Sequence, residues 1–475
     1  MGMRLHVFVI PIVLIHSAGV SDVRAEGMMQ VLDGYVRTGL KCNLGLRQEA
    51  AEHESAEASV NEARAKFFPT VNLSSRYTRA AGGRSVTIPV GDFMSPLFNS
   101  LGLPVNPETV SSLNATNVTI VPTRDQETKL QLMQPLFAPE IYENYRMNVL
   151  LLKSKTAGST VSRRALIRDI RCAYFTCLQA REAIVVRSAA CLRSERQLLT
   201  ARKLFDAGVI TRTGVLAAEA AASRSRTDSL KSVADLDDAC RAFNILLNRS
   251  PAVPVAFAAA DSGESMLFTE DTATAPYGDS ALIESRPEMV QLGYADAALR
   301  AYERVERSAF VPKIAAALEG GIVGEQFAVN DKTRFYTASL LLQWELFSGF
   351  GRRNKVYKAK CALESMDAKI EETRAMLLLQ LHQVRSDRMV AARRCSDSEL
   401  QRLAAEKNYE EVTRRFEQGA ATAQDVVEAQ ELFTGAEAAV SVARYELCRQ
   451  WALLRFAAGS DGDGSGTVAL GKGNE

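Results

Sequence analysis

Apolar residues follow two different periods along this chain. From 28 to 66 the pattern is helical and rich in Ala and Glu. It stops at Phe68-Pro69, because the residue before a proline is pushed out of the α region. Val71, Leu73 and Tyr77 then alternate with Asn72, Ser74, Arg76 and Thr78, which predicts a strand with two unlike faces. A second strand is predicted near 127–136, with Leu130 and Leu132 on one face. Residues 80–125 between them are loaded with Gly, Ser, Thr, Asn and Pro and predict a long exposed loop. The helical period returns at Glu140 and holds to Phe205, interrupted only by Gly158; a shorter helix is predicted over 213–247.

The same order then recurs. Ala63-Arg64-Ala65-Lys66-Phe67-Phe68-Pro69-Thr70-Val71 returns as Glu306-Arg307-Ser308-Ala309-Phe310-Val311-Pro312-Lys313-Ile314. Leu136-Phe137 returns as Leu346-Phe347, and Phe205-Asp206-Ala207-Gly208-Val209-Ile210-Thr211 as Phe416-Glu417-Gln418-Gly419-Ala420-Ala421-Thr422. Three landmarks in one order mark a tandem duplication of a unit of roughly 200 residues. In the second copy the strands are predicted near 313–322 and 334–345, joined by a shorter loop from Gly324 to Lys332, and the long helix runs from Asn354 to Glu417. Sixty-odd residues at ~1.5 Å each make a rod of roughly 100 Å. Leu363, Met366, Ile370, Leu377, Leu381 and Val384, spaced by threes, fours and sevens, predict coiled-coil packing along it. Residues 28–66 and 213–247 together equal about one rod. Two short helices stacked end to end are therefore expected to pair with one long helix, in both copies.

Boundaries follow from these landmarks. Residues 1–25 read as a signal peptide: a basic start at Met1–Arg4, an apolar core from Leu5 to Ile15, and Val23-Arg24-Ala25 before Glu26. The first repeat is 26–250, a linker of prolines, small and acidic residues covers 251–280, the second repeat is 281–458, and 459–475 is a glycine-rich polar tail expected to be disordered. A net charge of +1 gives no reason to expect nucleic acid as a partner. After the N-terminus no stretch approaches the ~20 apolar residues of a membrane helix. The eight cysteines are scattered singly along helical patterns with no CxxC, and Cys172 and Cys177 point to different helix faces; they read as small buried hydrophobes. No cysteine at the predicted cleavage point offers a lipid anchor. His53 and His382 are far apart on separate helices and lack metal-ligand neighbours. No phosphate loop or nucleophile elbow is present, so neither enzyme chemistry nor a cofactor is expected.

Strands of about ten residues match the length that crosses an outer membrane as β-structure. Four cannot close a barrel, and an open edge cannot face lipid, so a chain that places them in a membrane must oligomerise. With its paired junctions at Pro69 and Pro312, its strand-to-helix passages at Leu136-Phe137 and Leu346-Phe347-Ser348-Gly349, and its paired reversals at Gly208 and Gly419, the chain resembles the TolC-like outer-membrane efflux proteins over nearly all of its mature length. The resemblance implies a mainly α fold with a small β membrane part: a trimeric 12-stranded β-barrel continuing into a long α-helical coiled-coil barrel. It also implies an outer-membrane location reaching into the periplasm, and partners in a periplasmic adaptor protein and an inner-membrane pump.

Two sets of candidate residues remain. Asp425 and Glu428, three apart, share one helix face just beyond the second reversal. The resemblance implies carboxylates here that line a closed periplasmic entrance and, in a trimer, form a ring favouring cations. Acids at a helix start also suit the helix dipole, which leaves a second reading open. The first copy has Gly214 and Ala217 at the matching places, so a ring would come from one repeat only. The tips Gly208-Val209-Ile210-Thr211 and Gly419-Ala420-Ala421-Thr422 match the place where the resembled family docks its adaptor; Gly208 and Gly419 are also what a helix end needs. Tyr77 and Trp344, near strand ends, fit either an aromatic interface belt or ordinary packing. The expected function is the passive exit duct of a tripartite efflux or type I secretion system, gated at its helical tip. The rival is a periplasmic coiled-coil adaptor or scaffold, which would have one hairpin among many β modules rather than two hairpins and four strands.

Overall fold

A computed structural model describes residues 27–81, 85–103, 106–114, 116–119, 124–257 and 279–459. The predicted signal peptide, most of the linker and nearly all of the tail lie outside these residues. The chain forms two compact units: one of residues 53–155 and 291–369, the other of residues up to 52, 156–290 and 370 onward.

The first of these units holds the strands. β1 (Thr70–Arg79), β4 (Arg124–Phe137), β5 (Lys313–Gly324) and β6 (Arg334–Gln343) form one antiparallel sheet in the order β1-β4-β5-β6. Leu73 pairs with Leu130, Leu130 with Gly320, and Gly320 with Tyr336, so the predicted alternation sets the register. One face carries Val71, Leu73, Tyr77, Leu130, Leu318, Leu340 and Leu342, all exposed. The opposite face carries a chain of ion pairs: Arg76 to Asp125 and Glu127 at 3.3 Å each, Lys129 to Glu127 at 3.1 Å, and Lys129 to Glu319 at 3.7 Å. Gln131 donates to Glu319 at 2.8 Å in the same row. An exposed apolar face backed by a charged one suits a sheet between lipid and water. Among the described residues, the two edges, β1 and β6, have no further strand partner.

The predicted loop 80–125 is a structured insertion instead. β2 (Ser85–Ile88) pairs with β3 (Thr116–Thr119), and between them α3 (Val90–Ser100) packs on α4 (Pro107–Asn114). Gly91 makes this possible: a Cβ there would stand 2.3 Å from the carbonyl oxygen of Val110. Asn114 locks the pair, donating to the Asp92 carboxylate at 2.7 Å and accepting from the Asp92 backbone at 2.9 Å. Of the Pro and Asn residues that read as loop, Pro89, Pro107 and Asn114 stand at helix ends, while Pro96 lies inside α3.

The other unit is helical. The expected single helix over 28–66 is two, α1 (Met28–Cys42) and α2 (Leu44–Ala65). Asn43 between them is extended, and its side chain accepts from the backbone N–H of Leu46 at 3.1 Å, ending one helix and capping the next. The long helices are α5 (Pro139–Asp206), which Gly158 does not break, and α9 (Gly351–Glu417); the returns are α6 (Arg212–Leu246) and α10 (Ala423–Ala457). Between α6 and β5 lie α7 (Asp279–Glu284) and α8 (Pro287–Ser308). End-to-end stacking occurs twice. Asn43 donates to the Leu246 carbonyl at 3.2 Å and Asn248 to that of Cys42 at 3.0 Å, joining the end of α6 to the α1–α2 break. Arg286, just before α8, donates to the Ala457 carbonyl at the end of α10 at 3.3 Å.

Leu32, Ile170, Tyr174, Phe175, Phe243 and Leu247 are buried together with Trp451 in the main apolar cluster of this unit. Leu377, Leu381 and Val384 of the predicted coiled-coil stripe are buried against Ile283 and Leu454. Of the cysteines read as small buried hydrophobes, Cys177 and Cys448 are buried, whereas Cys42 and Cys361 are exposed. No described helix is long and apolar enough to cross a membrane.

Candidate functional site

The two junctions at Pro69 and Pro312 are built alike. Ahead of Pro69, the N–H groups of Phe67 and Phe68 donate to Arg64 and Ala65 at 3.1 and 3.0 Å; ahead of Pro312, those of Phe310 and Val311 donate to Arg307 and Ser308 at 3.1 and 3.0 Å. Each proline then has no N–H to continue the helix, and a strand follows at once. The passages back to helix differ. Leu136-Phe137 ends β4 directly before α5, whereas Leu346-Phe347 lies in irregular chain followed by Gly349 and Phe350, both left-handed at φ 59° and 64°. Beside the second junction the Trp344 indole donates to the Phe310 carbonyl at 3.1 Å, and at the far end of the sheet Tyr77 stacks on Phe327 at 6.1 Å.

The reversals also share one geometry. Gly208 and Gly419 are left-handed, with φ of 72° and 75°. Val209 donates back to Leu204 at 2.8 Å and Ala420 to Arg415 at 2.7 Å, the six-to-one bond of a Schellman motif. The tips touch: a Cβ on Gly419 would stand 3.2 Å from Val209 Cγ1, and one on Gly214 would stand 3.4 Å from the Cβ of Ala423. Val209 is exposed, but Ile210 and Ala421 are half-buried against a cluster of Ala201, Ala218, Phe416 and Val426. Ile210 therefore has a packing role that a tip predicted to be free for docking would not give it. Thr211 bonds Thr213 through their hydroxyls at 2.6 Å.

Asp425 and Glu428 are both exposed, while Val426 and Val427 beside them are buried, so the expected shared face is present. Asp425 has a local duty. Thr422 donates its N–H to the Asp425 carboxylate at 2.8 Å and accepts the Asp425 N–H at 3.2 Å, a capping box that starts α10. These bonds from Thr422 hold the Asp425 carboxyl below its ordinary pKa. Asp425 thus has the helix-start role that the sequence left open beside the ring. Glu428 caps nothing; it accepts from the Gln424 amide at 3.0 Å.

A row of polar contacts fixes α10 on the first hairpin, and sequence reasoning missed it. Gln430, buried, donates to the Ala190 carbonyl at 3.1 Å and to the Ser194 hydroxyl at 2.5 Å. Ser194 bonds Ser225 at 2.9 Å, Arg224 pairs with Glu431 at 2.6 Å, and Arg193 pairs with Glu437. The only signal in the sequence was Gln430 and Ser194 at positions of the inward-facing period. Among the described residues no group of three or more His, Cys, Asp and Glu could hold a metal ion.

A sheet with one lipid-facing side, unpaired at both edges, together with two helical hairpins reversing side by side, defines an outer-membrane channel protomer. Comparison with known proteins agrees. The family model for outer membrane efflux protein matches residues 38–249 and 280–460, and the chain belongs to that family. It is 24% identical over 337 residues to the alkaline protease secretion protein AprF of Pseudomonas aeruginosa, covering 70% of this chain and 69% of that one. Among solved structures it resembles the outer-membrane channel OprN (TM-score 0.74, 18% identity, 90% of each chain). It likewise resembles the outer membrane protein VceC of Vibrio cholerae (TM-score 0.74, 14% identity, 92% of this chain and 98% of that one). The fold is thus the mainly helical, internally duplicated one with a small β membrane part, and the protein is an outer-membrane channel extending into the periplasm.

Proposed function

We propose that three copies assemble into a passive exit duct for a tripartite efflux or type I secretion system, with the periplasmic helix reversals forming both its gate and its docking surface. The observation that supports this most is the pair of open edges on a four-stranded sheet whose apolar face is bare. Neither edge can remain open in lipid, and pairing β1 of one copy with β6 of the next closes a ring. Three copies give twelve strands and twelve helical columns. A periplasmic adaptor and an inner-membrane pump are the partners this reading requires, since nothing in the duct supplies energy. AprF carries a secretion function in its name, which favours a protein or peptide cargo as one substrate class.

At the entrance, Asp425 and Glu428 of three copies would bring six carboxylates together, attracting cations by field strength. Val209 offers the most exposed apolar side chain of the first tip for adaptor contact, with Gly208, Ile210 and Thr211 shaping it; Gly419, Ala420, Ala421 and Thr422 shape the second. The functional test is export in cells: loss of the chain should abolish pump-dependent export, and the Val209→Asp variant should reduce it with the assembly intact. Unchanged export without the chain would refute the duct reading.

A further inference from the structure

In the first hairpin, α5 carries Cys172, Cys177 and Cys191, and α6 carries Cys240. Cys177 stands 31 residues before Gly208 and Cys240 stands 32 residues after it. In an antiparallel helix pair both arms rise by ~1.5 Å per residue, so the two lie at one level. The side chains are brought together there. Cys177 is fully buried, and its Sγ donates to the carbonyl of Ala239, the residue before Cys240, at 3.4 Å. Cys240 packs against the same apolar cluster, which holds Tyr174 and Phe243. We propose that Cys177 and Cys240 are joined by a disulfide in the mature protein, tying α5 to α6 within the first repeat.

The compartment supplies the chemistry. These helices belong to a chain of the outer membrane and periplasm, where thiols meet an oxidising environment. The oxidant is a dithiol–disulfide oxidase of that compartment. The less buried Cys240 attacks its disulfide as thiolate, giving a mixed disulfide and releasing one oxidase thiolate. Cys177 then displaces the second, so the pair loses two electrons and two protons and the oxidase becomes a dithiol. Burial pushes the Cys177 thiol up to about 12 and raises Cys240 as well, which disfavours the thiolates in the closed core. The exchange therefore belongs to the stage before the cluster closes, and the finished bond is shielded from small reductants.

The second hairpin supplies the contrast. Cys395 and Cys448 stand 24 residues before and 29 residues after Gly419. That mismatch of five residues is ~7 Å along the axes, well beyond the ~4 Å between Cβ atoms that a disulfide tolerates. These two stay thiols, as do the remaining four cysteines.

Peptide mass spectrometry tests this on the full-length protein extracted from outer membranes, denatured in iodoacetamide without reductant and cut with trypsin. Cys172 and Cys177 fall in one tryptic peptide, 172–181, and Cys240 in another, 232–241. The expected result is a linked species of the two in which Cys172 is alkylated and Cys177 is bonded to Cys240. Reduction should split it and raise alkylation from six to eight sites per chain. The Cys177→Ser variant should leave Cys240 fully alkylated. Separate peptides with all three thiols alkylated before reduction would overturn the proposal, as would a bond from Cys240 to any other cysteine.

Discussion

Val209 of the first reversal lies against Gly419 of the second, its Cγ1 3.2 Å from where a Cβ on that glycine would stand. At this point the two repeats meet through one side chain and one bare backbone, beside the Gly214–Ala423 contact. Gly208, the matching glycine of the first repeat, has no neighbour within 4 Å of its own missing Cβ. Alanine at either position meets the left-handed backbone penalty of about 1–2 kcal/mol. Only Gly419→Ala adds a contact that must give way. We predict a larger loss of thermal stability for Gly419→Ala than for Gly208→Ala, read by the temperature at which the detergent-solubilised assembly unfolds. The reverse ranking would contradict the tip contact.

Docking is predicted to depend on Val209 more than on Ile210. Val209→Asp places a charge at an exposed tip and should weaken adaptor cross-linking and export while leaving assembly intact. Ile210→Asp buries that charge against Phe416 and Val426 and should reduce the amount of assembled protein as well. If Val209→Asp lowers assembly as much as Ile210→Asp does, the separation of the two roles is wrong.

The proposed carboxylate ring is tested with isosteric variants. Asp425→Ala removes the capping box of α10, whereas Asp425→Asn keeps an acceptor for the Thr422 N–H. Asp425→Asn with Glu428→Gln should therefore abolish block by multivalent cations from the periplasmic side in planar bilayers and reduce cation preference. Asp206→Asn with Glu219→Gln, in the first repeat, should do much less. Wild-type block in the first double variant would leave Asp425 with its capping role alone.

Much of this architecture was legible because glycine and proline mark it. Pro69 and Pro312 end helices by lacking an N–H, and Gly208 and Gly419 turn them by adopting a left-handed backbone; both effects are local. Asn43 was not legible as a break, since its capping bond depends on a helix reaching it. The α3–α4 insertion was hidden because Ser, Asn and Pro occur in loops and at helix ends alike. Near the second reversal, the shared face of Asp425 and Glu428 follows from spacing, while the Arg193–Glu437 and Gln430–Ser194 contacts join residues more than two hundred positions apart. No local pattern encodes them.

Acid is predicted to loosen the helix stack near Arg286. That guanidinium is 1% exposed and donates to both oxygens of Glu288, at 2.6 and 3.2 Å. Burial pushes the Glu288 carboxyl up, but the hydrogen bonds and charge of Arg286 outweigh it, and the pKa falls below the ordinary value of 4.5. A carboxyl depressed by folding contributes stability that is present above its unfolded pKa and lost as pH falls through the folded one. Unfolding temperature should thus drop more steeply below about pH 4.5 in the wild type than in Glu288→Gln, which begins lower and lacks this step. Parallel pH profiles for the two would contradict the assignment.

The most direct measurement is the mass of the purified protein in mild detergent, by light scattering with the detergent contribution subtracted. The open edges of β1 and β6 require an oligomer, and the proposed trimer predicts one species of three times the processed chain, stable only with detergent present. A monodisperse single chain in detergent-free buffer would contradict it, because a sheet with a bare apolar face and two unpaired edges could not then be a membrane sheet.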